Sequence, residues 1–127
     1  MGQEDLAPRD VRVVAGPDAI VGLSTHTIAQ LDAAVLQPVD YVAVGPVFGT
    51  RTKATGYAAI GLGLVKAAAA KAAGKPLVAI GGITVENASA VIEAGAASLA
   101  VIGDLLSTGD PERRVREYLK LLGESLV

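Results

Sequence analysis

Four short apolar runs, separated by helix signals, constrain the fold of this chain more than any other feature. Within the runs, polar residues do not alternate with apolar ones, which is typical of strands buried on both faces. Strands of that kind occur in parallel sheets whose connections cross over through helices. The pattern therefore predicts an α/β fold with four parallel strands, at residues 19–23, 41–45, 77–80 and 98–102.

Helix caps and terminators define the segments between those strands. Thr27 is the predicted cap of one helix, and Gln30 is expected to return a bond to the cap's own amide in a capping box. Thr84 is the predicted cap of a later helix that ends at Gly95. The predicted helical segments are 8–15, 27–36, a helix that ends near 73, 84–95, a short turn at 103–106 and a last helix from 110 to about 122.

The length of the chain limits how much of a fold it can hold. Its 127 residues suit a single domain, whereas a complete (β/α)₈ barrel takes roughly 200 residues or more. Four parallel βα units preceded by one helix therefore predict half of a TIM barrel, with residues 1–127 as one truncated barrel domain. A four-stranded flavodoxin-like sheet is the structural alternative.

Composition and charge exclude several classes of function. The net charge of −2 leaves no long-range field to recruit nucleic acid. Cysteine is absent, so disulfides and thiolate metal sites are excluded. The sequence has no apolar run of the 18 or so residues that span a membrane, and its N-terminus lacks the parts of a signal peptide. We therefore expect a cytoplasmic protein that binds neither nucleic acid nor membranes.

Glycines follow the third and fourth predicted strands, at the edge of the sheet where ligands of parallel α/β folds bind. Gly81 and Gly82 follow one strand, and Gly103 follows the next. Without side chains, these residues let backbone amides approach an anion closely. Two such turns on neighbouring strands predict a phosphate site; the alternative is that the glycines only make tight turns.

The segment after the second strand carries hydroxyl groups and a cation. It runs from Pro46 to Gly61, which is long for a βα connection and favours a functional role. Thr50, Thr52 and Lys53 offer two hydroxyls and one ammonium within four residues, a set that suits a polyphosphate. A solvated loop is the alternative interpretation.

Three further residues are candidates on chemical grounds. Ser24 and His26 follow the first strand, but no third group is visible to orient them, so we do not predict a hydrolase. His26 either bonds the backbone at the helix start or takes part in catalysis. Asp5 is a candidate Mg²⁺ ligand, since Mg²⁺ is held by one or two carboxylates plus phosphate oxygens. The alternative role of Asp5 is that of a partner for a helix dipole.

An ordered set of motifs resembles the thiamine-phosphate synthase family over nearly the whole chain. The most specific is Gly45-Pro46-Val47-Phe48 followed by Thr50-Arg51-Thr52-Lys53, whereas Gly81-Gly82-Ile83 recurs across many phosphate-binding barrels. The other motifs are Gly2-Gln3-Glu4-Asp5-Leu6, Gly22-Leu23-Ser24-Thr25-His26-Thr27 and Asp40-Tyr41-Val42. The resemblance implies the C-terminal half of a phosphate-binding barrel. With Mg²⁺, the family's enzyme joins a pyrimidine methyl pyrophosphate to a thiazole phosphate and releases pyrophosphate.

The resemblance also implies roles for individual residues. Asp5 resembles a Mg²⁺ ligand of the family, and Ser24 and Lys53 resemble its pyrophosphate contacts. The residues that resemble those near the thiazole phosphate are Thr50, Thr52, Gly82, Ile102 and Gly103.

Two departures from the family bear on these roles. The family's other half barrel, which carries a second metal carboxylate, is not part of this sequence. We therefore expect a homo-oligomer or a partner that supplies the missing half barrel. At the last strand exit the family often has a small hydroxyl residue, whereas this chain has Gly103 followed by Asp104, whose charge is expected to weaken phosphate binding unless it points away.

Two alternatives to a synthase stay open at this point. A related thiazole tautomerase resembles this barrel and uses a histidine at the position of His26. The other alternative is a non-catalytic half barrel that self-associates.

Overall fold

The four predicted strands form one parallel sheet in the computed structural model, which describes residues 1–49 and 59–125. The strands pair in chain order, β1-β2-β3-β4. They are β1 (Gly22–Thr25), β2 (Tyr41–Val44), β3 (Leu77–Ile80) and β4 (Ser98–Ala100). The prediction of an α/β fold with four parallel strands is therefore confirmed.

Helices precede the sheet, connect its strands and follow it. The first begins at a proline, which has no amide proton to leave unpaired in the opening turn. The helices are α1 (Pro8–Ala15), α2 (Ile28–Ala34), α3 (Gly61–Lys71), α4 (Ala88–Glu93), α5 (Gly103–Leu106) and α6 (Pro111–Ser125). The predicted bounds of α1 and α5 are confirmed, and α2 and α4 are shorter than predicted.

The first strand lies about three residues later in the chain than predicted. The guanidinium of Arg12 donates to the Ala19 carbonyl (2.8 Å) and to the Asp40 carboxylate (2.8 Å). That carboxylate also accepts from the Val21 amide (2.7 Å). These bonds hold Ala19 in the turn before the sheet, so regular pairing starts only at Gly22.

Of the two predicted helix caps, that of Thr27 is confirmed without its predicted return bond, and that of Thr84 is wrong. Thr27 does cap α2, since its hydroxyl accepts from the Gln30 amide (3.1 Å), but the Gln30 side chain accepts from the amide of His26 rather than from that of Thr27 (2.8 Å). Thr84 does not cap α4. Asn87 precedes that helix, and its side-chain oxygen accepts from the Thr84 amide (2.8 Å), which keeps Thr84 in a turn.

The two faces of the sheet differ in what covers them. Leu23, Val42 and Leu77 lie side by side on the face that packs against the helices and are almost fully buried. Side chains alternate along a strand, so the intervening residues form the opposite face. We call it the open face, because Ile80 is 38% exposed and Ser98 is also exposed. It consists of Gly22, Ser24, Tyr41, Ala43, Val78, Ile80, Ser98 and Ala100.

Over the residues that the structure describes, no helix is both long enough and apolar enough to cross a membrane.

The ion pair between Arg12 and Asp40 predicts a pH dependence of stability. The Val21 amide and then the Arg12 guanidinium hold the pKa of Asp40 below its usual value of about 3.9. Because the folded-state pKa is lowered, this contribution to stability is present above pH 4 and is lost as the pH falls through the folded value. In chemical unfolding at a series of pH values, we expect Asp40→Asn to destabilise the chain at pH 6 and to do so less at pH 3.

Asp18→Asn is the matched control, because Asp18 is exposed and makes none of these bonds. A constant difference in the free energy of unfolding between Asp40→Asn and the unmodified chain from pH 6 to pH 3 would contradict the prediction.

Candidate functional site

The carboxyl ends of the strands surround a cavity of about 730 Å³. Its lining includes residues that leave all four strands, as expected where parallel strands end at one edge of a sheet. Four of the residues singled out from the sequence line it together: Ser24, Gly82, Ile102 and Gly103. The structure therefore brings these four candidates to one site.

The glycine turn after β3 is required by its backbone conformation and by a close neighbour. Gly81 and Gly82 have φ angles of +104° and +65°, which favour glycine. A Cβ atom at Gly82 would lie 2.5 Å from the Gly49 carbonyl oxygen, and one at Gly81 would lie 2.6 Å from the Cα atom of Pro46. The alternative interpretation, that these glycines make tight turns, therefore explains part of why glycine is found here. The segment after β2 packs directly on them and leaves no room for a side chain.

The same turn leaves backbone amides available to a ligand. Within the described residues, the N–H groups of Gly82, Ile83 and Gly103 donate no hydrogen bond. All three residues line the cavity. Unpaired amides that border a cavity suit the oxygen atoms of an anion such as phosphate.

His26 and Ser24 line the cavity at the end of β1. The ring nitrogen Nδ1 of His26 lies 2.7 Å from the Gly45 carbonyl oxygen, which can only accept, so the proton of the neutral ring is on Nδ1. The His26 amide donates to Gln30 at the start of α2. The backbone-bonding role predicted for His26 is therefore present, while its ring also borders the cavity.

Asp104 borders the cavity, yet its carboxylate is directed to the protein. One carboxylate oxygen accepts from the Val85 amide (3.1 Å) and from the Tyr118 hydroxyl (2.6 Å). The guanidinium of Arg114 lies 3.8 Å from the same oxygen, and the Asp104 side chain is only 8% exposed. These partners offset the negative charge that the sequence places beside the glycine turns.

Asp5 does not line the cavity. Its carboxylate accepts from the Gly2 amide (2.6 Å) and is exposed. The adjoining Gln3 side chain donates to the Ser24 carbonyl (2.7 Å), so this turn lies at the same edge of the sheet as the cavity. Among the described residues, no group of three or more His, Cys, Asp or Glu side chains could hold a metal ion.

Three of the predicted site residues, Thr50, Thr52 and Lys53, lie outside the described residues. The segment that leads to them is well placed, because the Phe48 amide donates to the Gly81 carbonyl (3.0 Å) and Gly49 lines the cavity. The connection after β2 therefore starts at the edge of the sheet that holds the glycine turns.

Sequence reasoning did not identify the residues that support these turns. Asn87 donates to the Gly82 carbonyl (3.2 Å) and accepts from the Thr84 amide, so its side chain stabilises the turn after β3. An asparagine three residues after a threonine is a signal for such a local side-chain turn. Tyr118, on α6, has no comparable signal because its partners are distant in sequence.

Comparison with known proteins identifies the family. Residues 1–105 match the sequence profile of the family described as thiamine monophosphate synthase. The chain belongs to this family.

Curated relatives in the thiamine monophosphate synthase family cover nearly all of this chain. A thiamine-phosphate synthase of Koribacter versatilis is 49% identical over 96% of the chain, which corresponds to 56% of that protein. A thiamine-phosphate synthase of Synechococcus is 47% identical over 96% of the chain and is matched over 34% of its own length. The chain therefore spans about half, or less, of the relatives it matches.

A solved structure supports the same assignment for the fold. The thiamine phosphate pyrophosphorylase of Pyrococcus furiosus matches all of this chain with a TM-score of 0.89 and 29% identity, over 59% of that protein. This similarity confirms the half barrel and excludes the flavodoxin-like alternative. The two curated relatives are named thiamine-phosphate synthases and the solved structure is named a thiamine phosphate pyrophosphorylase.

The glycine turn of this family member gives a prediction about stability. Gly82→Ala adds a Cβ at a positive φ angle and close to Gly49, so we expect a loss of roughly 1 to 3 kcal/mol in the free energy of unfolding. Gly63→Ala is the matched control. Gly63 lies in α3 with open space around it, and alanine there is expected to stabilise by up to about 1 kcal/mol. Urea unfolding measures both, and equal effects would contradict the prediction.

Proposed function

We propose that this chain supplies the thiazole-phosphate site and part of the pyrophosphate site of a thiamine-phosphate synthase. The reaction joins hydroxymethylpyrimidine pyrophosphate to thiazole phosphate and yields thiamine phosphate and pyrophosphate. Membership of the family and the names of its relatives support the reaction. The observation that carries the proposal is the cavity at which two turns present unpaired amides, since the reaction needs a site for a phosphoryl group.

The thiazole phosphate is proposed to bind at the ends of β3 and β4. Gly82 and Gly103 supply backbone amides, and Ile102 lies between the strand and the second turn. Because the Asp104 carboxylate already bonds Val85 and Tyr118, its charge opposes this phosphate less than an unpaired carboxylate would.

The pyrophosphate is proposed to bind at the ends of β1 and β2. Ser24 lines the cavity there, and Lys53 follows Gly49 by four residues. The ammonium of Lys53 would offset charge on the leaving pyrophosphate, which is the main requirement of a step in which the carbon–oxygen bond to pyrophosphate breaks before the thiazole nitrogen attacks. Thr50 and Thr52 are proposed to face the thiazole substrate.

Mg²⁺ is the proposed cofactor, and Asp5 is the residue that would hold it. Its turn is anchored to Ser24 through Gln3, and one carboxylate with phosphate oxygens is a usual set of Mg²⁺ ligands. When bound, Mg²⁺ supplies positive charge beside the leaving pyrophosphate. Both substrates are phosphorylated small molecules, which are retained inside a cell membrane, so the proposal includes a cytoplasmic location.

Lys53→Ala tests the proposed pyrophosphate contact. Loss of a charge-assisted bond is expected to raise the barrier by about 1.5 to 3 kcal/mol, which lowers kcat/KM roughly 10- to 150-fold. The measurement is Mg²⁺-dependent formation of thiamine phosphate, by the purified chain alone and mixed with the part of the Koribacter protein that this chain does not cover.

Lys71→Ala is the control for charge, because Lys71 lies on α3 and pairs only with Asp32 among the ion pairs of the described residues. Absence of thiamine phosphate in both assays would contradict the proposed function. Equal rates for Lys53→Ala and Lys71→Ala would contradict the role of Lys53.

The partner of this chain is proposed to cover the open face of the sheet. In a complete barrel this face is the packed interior, whereas here it leaves Ile80 and Ser98 exposed. Exposed apolar side chains also occur on α1, where Val13 is 81% and Val14 is 79% exposed. A second copy of the chain, or another chain with the missing half barrel, would bury both surfaces.

Val78→Glu tests this association. Val78 lies in the middle of the open face, between Ala43 and Ser98, so a buried unpaired carboxylate there should prevent a partner from docking. In light scattering at micromolar concentration, we expect the unmodified chain to exceed 12.8 kDa by a factor of about two or more and Val78→Glu to approach 12.8 kDa. Leu36→Glu, at a residue that is 85% exposed outside the sheet, is the control and should leave the mass unchanged. A folded monomer for the unmodified chain would contradict the proposal.

A further inference from the structure

The carboxylate of Asp104 connects three separate elements at the cavity. It belongs to α5, immediately after Gly103, and accepts from the Val85 amide in the segment between β3 and α4. The same oxygen accepts from Tyr118 on α6, whose hydroxyl is also 3.5 Å from the Ile83 carbonyl. The side chain of Asp104 is 8% exposed and Tyr118 is 6% exposed, so water competes little for these bonds.

Other side chains stabilise each of the two turns separately: Asn87 the turn after β3, and Ser107 the turn after β4. Asn87 bonds both the Gly82 carbonyl and the Thr84 amide. The Ser107 hydroxyl donates to the Asp104 carbonyl (2.9 Å) and lies 3.3 Å from the Asp104 carboxylate, which ties that carboxylate to the end of α5. Within the described part of the chain, the side chains of Asp104 and Tyr118 join one turn to the other, and Asp104 belongs to the second turn itself.

We propose that Asp104 is a positioning residue for phosphate binding: its carboxylate fixes the turn after β3 against the turn after β4, so that the amides of both reach one phosphate. The inference rests on the proposed function in taking phosphate as the ligand. It assigns a role to an acidic residue that simple charge reasoning places in opposition to that ligand.

The groups around the Asp104 carboxylate are hydrogen-bond donors and a guanidinium, which stabilise it as an acceptor. The guanidinium of Arg114, 13% exposed, lies 3.8 Å from the carboxylate. Burial, and then the bond to Asp104, raise the pKa of Tyr118 above its usual value of about 10, so the phenol keeps its proton and donates. The negative charge of Asp104 therefore lies among donors of the protein, on Val85, Tyr118 and Arg114.

A matched pair of variants distinguishes the hydrogen bonds that Asp104 accepts from the effect of its negative charge. Asp104→Asn keeps an oxygen that can accept from Val85 or Tyr118 but removes the charge, whereas Asp104→Ala removes both. The probe is inorganic phosphate, titrated at constant ionic strength into the ¹⁵N-labelled chain. The readout is the chemical shifts of the Gly82, Ile83 and Gly103 amides.

We expect the three amides of the unmodified chain to shift together and to saturate with one dissociation constant. Asp104→Ala should raise that constant about tenfold or more, and Asp104→Asn should stay within about threefold of the unmodified chain. If the charge of Asp104 simply repels phosphate, both variants would bind more tightly, and the inference would be overturned. It would also be overturned if Asp104→Ala bound as the unmodified chain does, or if Asp104→Asn behaved like Asp104→Ala.

A second variant keeps the inference testable if Asp104→Ala does not fold. Tyr118→Phe removes the donor and retains the ring, and we expect the dissociation constant to rise about threefold while the amide spectrum remains that of a folded chain. An unchanged constant would count against the inference. A chain that binds phosphate at these amides but makes no thiamine phosphate contradicts the proposed function alone, whereas amides that do not respond to phosphate overturn the inference.

Discussion

The parallel pairing of β2 with β3 is the interaction on which the cavity depends. It places the residues that leave β2 directly against those that leave β3, where the Val47 and Phe48 amides donate to the Ile80 and Gly81 carbonyls. These bonds use the last carbonyl of β3 and the one after it, and they accompany the close approach of the Gly49 carbonyl to Gly82. Any larger residue at Gly82 would separate the two segments. The backbone at this edge of the sheet therefore sets the shape of the site before a functional side chain is added.

The polar groups at this edge of the sheet fall into two sets, backbone amides of residues that line the cavity and side chains that bond the backbone. Gly82, Ile83 and Gly103 line the cavity, while Asn87 and Asp104 bond neighbouring backbone groups. The anion site proposed at these turns needs no cationic side chain of its own, since its donors belong to the main chain. Cationic charge is instead expected from the connection after β2, which leaves from the same edge.

The sequence was informative where local chemistry decides the structure. Leu77–Ile80 lies between a proline and a glycine and contains only apolar residues, so β3 could be predicted with its exact bounds. The turn after β3 could be predicted for the same reason, because a pair of glycines directly after a buried strand is typical of a tight turn. The glycine turns line the same cavity as Ser24 and Ile102. This too follows from the parallel strands, which all have their carboxyl ends at one edge of the sheet.

Contacts between distant residues account for what the sequence did not show. The start of β1 depends on Arg12 reaching Ala19 and Asp40, and nothing near residue 19 indicates that the turn continues. The orientation of Asp104 depends on Val85 and Tyr118, which are 19 and 14 residues away. An aspartate beside a predicted phosphate site looks unfavourable until those partners are known, because the same charge costs much less once it is hydrogen-bonded.

The pairing of Met1 with the edge of β1 limits what else can pair with that edge. The terminal ammonium of Met1 donates to the Gly22 carbonyl (3.0 Å), and the Met1 carbonyl accepts from the Ser24 amide (2.9 Å), which is the pattern of a parallel ladder. Met1 therefore occupies part of the edge of β1, and Gln3 adds a side-chain bond to the Ser24 carbonyl. A strand from another chain could not pair with β1 at Gly22 and Ser24 without displacing this segment.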